Sequence, residues 1–259
     1  MTVAWQVGSA ALFGAVIGSF LNVCIYRLPQ RESLVRPGSQ WPQCGVPIRW
    51  YDNIPVLSFL WLFGKCRRCR RAIPWRYPLV ELLNALGYGW IVWRFGVSPV
   101  ALMYATLWSA LLVVSFIDLD HMIVPDRITV PGMAIGLAAG TFVLPQWWDS
   151  IAGLLIGGGL LYFIAWVSPL VFGKEGMGGG DIKLLAMIGA FLGWRPVLMT
   201  VLLGGIIGAC MGLLLIASRK ITRQDYLPFG PFLSLGAAVV MLYGQEILDW
   251  YGNLLAGGG

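Results

Sequence analysis

The sequence predicts an all-α polytopic membrane protein with about eight transmembrane helices and a cytoplasmic, cysteine-containing basic loop domain between helices 1 and 2. Hydrophobic residues make up 58% of the 259 positions, charged residues make up only 12%, and the mean hydropathy is +0.75. Soluble globular domains carry about 25% charged residues. The composition therefore excludes an ordinary soluble protein of this length.

Eight apolar runs are long enough, or nearly long enough, to cross a bilayer. The first begins close to Met1 and is followed by Arg27 without a small-residue cleavage pattern, so we expect it to be retained rather than removed as a signal peptide. Pro196 follows Arg195 and predicts a tight hairpin between the sixth and seventh runs. The runs lie near residues 3–25, 78–95, 98–117, 128–146, 150–172, 182–194, 196–217 and 229–250.

The basic residues predict the orientation of these spans. Ten of the 18 Lys and Arg residues fall between Arg27 and Arg76. If that loop faces the cytoplasm, alternation places the other Lys- and Arg-bearing loops on the same side, and the basic residues divide 16 to 2 between the two faces. Cytoplasmic loops of membrane proteins carry such an excess. Both termini are then expected on the outside.

The loop from Arg27 to Arg76 interleaves arginine with aromatic and proline residues. Its positive charge favours contact with anionic lipid headgroups, and no nucleic-acid partner is predicted. A polar loop of about fifty residues is long for a connection, so we expect a small domain that presents a substrate or binds a cofactor. Glu81 follows just inside the second helix, where it either pairs with the preceding arginines or takes part in catalysis.

Two aspartates stand at the edges of apolar segments on the predicted cytoplasmic side. Asp118 lies at the end of the run VVSFID, and Asp181 ends the glycine run GMGGGD. A carboxylate beside hydrocarbon is costly to hold ionised, so such a pair indicates a functional site. Two carboxylates that meet can share one proton, so that one takes a proton while the other gives one. The pair predicts acid–base chemistry at the membrane edge.

The loop after Asp118 contains further polar residues, Asp120, His121 and Asp126. Asp118 lies furthest into the apolar segment, and Asp120 is expected to support it as a neighbour. Asp126 follows Pro125 and precedes a helix, so it is a candidate N-terminal cap. The alternative is a solvated acidic loop with no catalytic role.

Gly178, Gly179 and Gly180 precede Asp181, and Lys183 follows it. A phosphate-binding loop is disfavoured, because the segment has no Lys-Ser/Thr pair and no preceding strand. Glycines without side chains would let an extended substrate backbone approach Asp181, and they permit backbone angles that other residues resist. A flexible interhelical turn is the alternative.

The cysteines of the basic loop have the spacing of a metal site with one ligand missing. Cys66 and Cys69 form a C-x2-C pair, and Cys44 lies 22 residues before Cys66. Two such pairs make the usual tetrathiolate zinc site, and thiols in a reducing cytosol bind metal more readily than they form disulfides. The position three before Cys44 is Trp41. The sequence leaves open a zinc ion on three thiolates with a water or another side chain, or no metal.

Six motifs occur in order over nearly the whole chain. They are GSFLNVCIYRLP (18–29), DNIPVLSFLWLFGKCRRC (52–69), YPLVELLNALGY (77–88), FIDLDHMIVPD (116–126), GMGGGDIKL (176–184) and PFGPFLSLGA (228–237). Together they resemble the prepilin leader peptidase/N-methyltransferase family, the GxGD-type aspartic endopeptidases of bacterial type IV pilus and type II secretion systems. The resemblance implies that Asp118 and Asp181 are the catalytic dyad. It also implies cleavage of the basic leader of prepilins and pseudopilins at the cytoplasmic face, and N-methylation of the new amino terminus with S-adenosyl-L-methionine as the donor.

The same resemblance implies a place in the bacterial inner membrane, with periplasmic termini, and a division of the chain into three segments. Residues 1–26 would form transmembrane helix 1, residues 27–77 the cytoplasmic basic, cysteine-containing domain associated with methyl transfer, and residues 78–259 a seven-helix membrane peptidase domain. The candidate cofactor-binding residues are Asp52, Asn53, Gly64, Lys65 and Glu81.

Two other functions stay open from the sequence. One is a peptidase without methylation, since Trp41 stands where many relatives carry the first of four cysteines. The other is an ion- or proton-coupled transporter whose intramembrane carboxylates bind a cation, because helices broken near glycines occur in transporters. The sequence predicts no particular oligomeric state.

Overall fold

A computed structural model describes residues 2–36, 38, 44–172, 178–220 and 227–256. Within these ranges the chain folds into nine α-helices and one 3-10 turn, Trp50–Asn53, without a strand. The α-helices are α1 Val3–Arg27, α2 Leu57–Trp61, α3 Arg76–Phe95, α4 Pro99–His121, α5 Asp126–Val143, α6 Asp149–Phe172, α7 Gly179–Leu192, α8 Trp194–Ala217 and α9 Gly230–Ala256.

All eight predicted runs form helices, which confirms the all-α fold class of a polytopic membrane protein. Among the described residues, α1, α4, α6, α8 and α9 are long and apolar enough to cross a membrane. The other three predicted spans, α3, α5 and α7, fall short in length or composition. α3 and α5 both begin at charged residues, and α7 has only 14 residues. At 1.5 Å per residue, α7 is about 21 Å long, less than the roughly 30 Å of a bilayer core.

The chain divides into two compact units, Met1–Ile117 and Asp118–Gly259, with the boundary inside α4. In the first unit, α1 packs along α3. A glycine permits this approach, since a Cβ on Gly18 would lie 2.7 Å from the Glu81 Cα atom. The Cys-containing loop lies between these two helices in sequence, as predicted. The three-segment functional division stays a prediction.

The second unit is built around α7, which contacts α5, α6, α8 and α9. Every residue from Leu184 to Leu192 is buried. Where α6 meets α7, the backbones touch at Gly153 and Gly189, and a Cβ on either glycine would collide with the other backbone. A short apolar helix is thereby enclosed by its neighbours, with Asp181 in its first turn.

Candidate functional site

Asp118 lies in the last turn of α4 and is only 4% exposed. The helix ends just after it, where the Met122 N–H donates to the Asp118 carbonyl oxygen at 2.8 Å and Met122 adopts a positive φ of 54°. The N–H of Gly230, the first residue of α9, donates to Asp118 Oδ2 at 3.0 Å. A Cβ on Gly230 would lie 2.7 Å from that oxygen. Asp118 is therefore held by a backbone donor whose approach requires glycine.

Asp181 lies in the first turn of α7 and is half-buried. Its N–H donates to the Gly178 carbonyl oxygen at 3.2 Å. Burial, and then the negative charge of Asp118, raise the pKa of Asp181 from 3.8 to about 6. The charge of Asp118 therefore reaches the Asp181 carboxyl group, as it must in a pair that shares a proton. The structure brings the two predicted catalytic residues together.

The glycines before Asp181 leave one side of it open. Gly178 and Gly179 are exposed; among the described residues, a Cβ on Gly179 would meet no atom within 4 Å, and a Cβ on Gly178 would meet only Asp181 Oδ2, at 3.9 Å. Gly178 has ordinary extended backbone angles, φ −76° and ψ 144°, which any residue can adopt. This glycine therefore contributes open space beside Asp181 and not an unusual backbone conformation. Gly180 faces the protein, where a Cβ would lie 2.8 Å from Val124 Cβ.

The other predicted polar residues of this region take separate positions. Asp126 is the first residue of α5, and the cap position is Pro125, so the predicted cap role of Asp126 is wrong. Its carboxylate instead forms an ion pair with Lys183, with Nζ–O distances of 2.7 and 2.8 Å. This pair joins the first turns of α5 and α7 beside Asp181. Asp120 is exposed, and its support of Asp118 stays a prediction.

Gly230 is the site residue that the sequence analysis missed. Its motif, PFGPFLSLGA, entered only as part of the family resemblance. A usable signal was present, since a glycine directly before a proline opens an apolar helix on the same predicted face as the two aspartates. The hydrogen bond itself joins residues 112 positions apart and has no local pattern.

The first unit contains a cavity of about 420 Å³ between α1, α3 and the basic loop. This volume is within the roughly 300–1,000 Å³ typical of small-molecule sites. Three of the five candidate cofactor-binding residues, Asp52, Asn53 and Glu81, line it, whereas Gly64 and Lys65 do not. Gly64 has φ +66° and lies against the ring of Phe59, which does line the cavity. The structure therefore brings together only part of the predicted set.

The two acids of the cavity wall have different partners. Asp52 forms an ion pair with Arg67, with the Oδ1 atom 2.7 Å from Nη2 and 3.1 Å from Nε. Glu81 is 9% exposed and accepts a hydrogen bond from the Val56 N–H at 2.8 Å. Glu81 forms no ion pair with any of the described residues. The structure therefore does not show the ion pair with the preceding arginines that the sequence allowed.

The three loop cysteines form a cluster that fits a metal ion. The sulfur atoms of Cys44, Cys66 and Cys69 lie within 4.8 Å of one another, with Cys66 buried and the other two half-buried. The backbone N–H of Arg71 lowers the pKa of the Cys69 thiol, which favours the thiolate form that binds metal. Three soft donors suit zinc with one coordination position left for another group. Trp41 lies outside the described residues.

The chain matches two family models and a group of curated relatives. The Bacterial Peptidase A24 N-terminal domain matches residues 12–95, and the Type IV leader peptidase family matches residues 105–213. Proteins named prepilin leader peptidase/N-methyltransferase from Pseudomonas putida, Pseudomonas aeruginosa and Aeromonas hydrophila are 40%, 39% and 39% identical. The matches cover 95%, 93% and 93% of this chain and 94%, 91% and 91% of theirs. No solved structure gives a significant match.

Proposed function

The chain belongs to the type IV leader peptidase family, and we propose that Asp118 and Asp181 are the residues with which it hydrolyses its substrates. It is a membrane enzyme that removes prepilin leader peptides and N-methylates the product. One observation carries the assignment of the dyad: the Asp118 carboxylate acts on the half-buried Asp181 and helps to raise the pKa of Asp181 to about 6. Such a pair can hold one proton between two carboxyl groups near neutral pH.

The dyad supplies both proton transfers of peptide hydrolysis. One carboxylate takes a proton from a water as the water attacks the scissile carbonyl, and the other carboxyl group protonates the departing amine. The pair titrates as a unit, so either residue can serve in either role. Gly230 orients Asp118 through its N–H group. The exposed backbone of Gly178 and Gly179 lets an extended substrate approach Asp181 without meeting a side chain of the described residues.

The hydrolysis is proposed to take place at the cytoplasmic face of the bacterial inner membrane. The 16 to 2 division of basic residues supports this orientation, with both termini periplasmic. The substrates are proposed to include pseudopilins as well as prepilins. The arginines of the loop from Arg27 to Arg76 would hold that loop against anionic lipid headgroups.

Methyl transfer is proposed to use the cavity of the first unit as the site for S-adenosyl-L-methionine. Its volume suits a cofactor of this size, and Asn53 and Glu81 provide polar groups on its wall. The donor carries the methyl group on a cationic sulfur, and a cavity with buried acidic residues favours a cation. Zinc is proposed to bind Cys44, Cys66 and Cys69 and to stabilise the loop that forms one side of this cavity.

The test is one incubation followed by intact mass measurement. The purified enzyme in lipid nanodiscs is given a prepilin-like peptide with a basic leader and S-adenosyl-L-methionine. We expect loss of the leader and then a gain of one methyl group on the new amino terminus. Cleavage without addition of a methyl group would show that the protein is a peptidase without methyltransferase activity. No cleavage, together with ion flux in liposomes, would overturn the proposal in favour of a transporter.

A further inference from the structure

The geometry points to Glu81 as the general base of methyl transfer, the group that takes a proton from the new amino-terminal ammonium of the cleaved substrate. From the sequence, Glu81 was a candidate for binding the cofactor, for ion pairing with the preceding arginines, or for a part in catalysis that was not specified. The inference rests on the proposed methyl transfer in the first-unit cavity, and it adds the group that makes the substrate amine reactive.

The carboxylate of Glu81 is held in one orientation at the cavity wall. Its backbone is fixed by the close approach of α1 at Gly18, where a Cβ would lie 2.7 Å from the Glu81 Cα atom. Glu81 Oε2 accepts the Val56 N–H at 2.8 Å, and the Ser19 hydroxyl also acts on the carboxylate. Val56 presents its N–H from a backbone with φ 60°. A positive φ is unusual for a β-branched residue, and such strained backbone conformations cluster at functional sites.

Apart from Glu81, the charged groups that line the cavity are either hydrogen-bonded, ion-paired or exposed. The Arg27 guanidinium donates to two backbone carbonyls of the 33–38 segment, at 3.0 and 2.9 Å. Asp52 is paired with Arg67. Glu81 is thus a buried carboxylate without a cationic partner among the described residues. Besides Glu81, the titratable lining groups are Tyr26, Arg27, Glu32, Arg36, Asp52 and Tyr77.

Methyl transfer to an amine requires such a base. A free α-amino group has a pKa of about 7.7–8.0, so near neutral pH it is largely the ammonium, which has no lone pair. Glu81 takes one proton from the ammonium. The neutral nitrogen then attacks the methyl carbon, the carbon–sulfur bond breaks, and its electron pair goes to sulfur, which becomes a neutral thioether. The methylated product leaves as an ammonium, and Glu81 returns its proton to water.

The test uses Glu81→Gln, which keeps the size of the side chain and an acceptor for the Val56 N–H but cannot take up the proton. The substrate is a peptide that already lacks its leader, so hydrolysis is not needed. At about pH 6.5 we expect methylation to fall about 100-fold, the usual effect of losing a general base. The dissociation constant for S-adenosyl-L-methionine should stay within about threefold, and leader cleavage of an intact peptide should be unchanged.

The pH profile separates a base from a structural residue. Between about pH 6.5 and about pH 9 the neutral fraction of a free α-amino group rises from about 5% to about 90%. Glu81→Gln should therefore recover at least 10-fold relative to wild type over this range. Glu81→Asp, which retains a base, should be slow but keep the wild-type pH profile. Glu246→Gln, the same change at an exposed glutamate of α9 in the other compact unit, is the matched control and should methylate normally.

Wild-type methylation by Glu81→Gln at about pH 6.5 would overturn the assignment. Loss of donor affinity without recovery at high pH would also overturn it, in favour of a cofactor-binding role. If the wild-type enzyme itself does not methylate the peptide, the proposed methyl transfer fails first, and the two failures are distinguished by that one control.

Discussion

Substitution of Gly230 by alanine is expected to impair leader cleavage more than any other single added methyl group at the dyad. The new Cβ would lie 2.7 Å from Asp118 Oδ2, whereas ordinary van der Waals contact begins at 3.4 Å. The oxygen must therefore move by about 0.7 Å. This movement lengthens the 3.0 Å hydrogen bond from the Gly230 N–H beyond the usual hydrogen-bond distance. A misplacement of about 1 Å at a reacting group costs about 100-fold in rate. We expect kcat/KM for cleavage to fall about 100-fold, or about 2.7 kcal/mol of transition-state stabilisation.

The assay measures cleavage of a prepilin-like peptide by mass spectrometry at several substrate concentrations. Gly252→Ala is the matched control, because it makes the same change in the same helix at a position where a Cβ meets nothing within 4 Å. Methylation of a peptide without its leader serves as the internal control for folding. Cleavage by Gly230→Ala within about threefold of the wild-type rate would refute the role of this contact.

Three further predictions concern stability and metal content. Because the pKa of Asp181 in the folded protein lies above 3.8, ionisation of Asp181 opposes folding as the pH rises through about 6. The stability of Asp181→Asn relative to wild type should therefore increase between about pH 4 and about pH 7, by the order of 1–2 kcal/mol after allowance for partial exposure; a constant difference in thermal unfolding would contradict this. Lys183→Met and Asp126→Asn should each destabilise by at most about 1 kcal/mol, and the double variant by no more than either, since they break the same exposed ion pair. We expect elemental analysis to find zinc in the wild type and to find none in Cys66→Ser, which should retain leader cleavage; equal zinc in both proteins would exclude the cysteine site.

The sequence alone predicts Asp118 and Asp181 as a pair, because each stands at the edge of an apolar segment. A helix in a membrane protein ends where its apolar run ends, so the positions of Asp118 and Asp181 at helix termini followed from hydropathy alone. The number of predicted spans between the two aspartates places both of them on the same side of the membrane. The family resemblance indicates the same two residues independently, because the FIDLDHMIVPD and GMGGGDIKL motifs contain them.

The contacts that the sequence did not predict are long-range ones. Local pattern favoured Asp126 as a helix cap, but a lysine 57 positions later provides a stronger partner for its carboxylate. Likewise, the glycine that holds Asp118 comes from α9, and nothing near either residue in sequence marks the pair. Gly64 and Lys65 belong to the loop that contributes to the cavity, yet neither of them lines it. Hydropathy specifies helices, while such contacts depend on how the helices pack.

The central claim is that Asp118 and Asp181 together hydrolyse the leader peptide bond. The most direct measurement compares Asp118→Asn and Asp181→Asn with the wild type in one intact-mass assay, using a prepilin-like peptide with its leader and a second peptide without it. Each variant should leave the first peptide uncut and still methylate the second, because the dyad belongs to one compact unit and the methyl-transfer cavity to the other. Cleavage at the wild-type rate by either variant would contradict the claim.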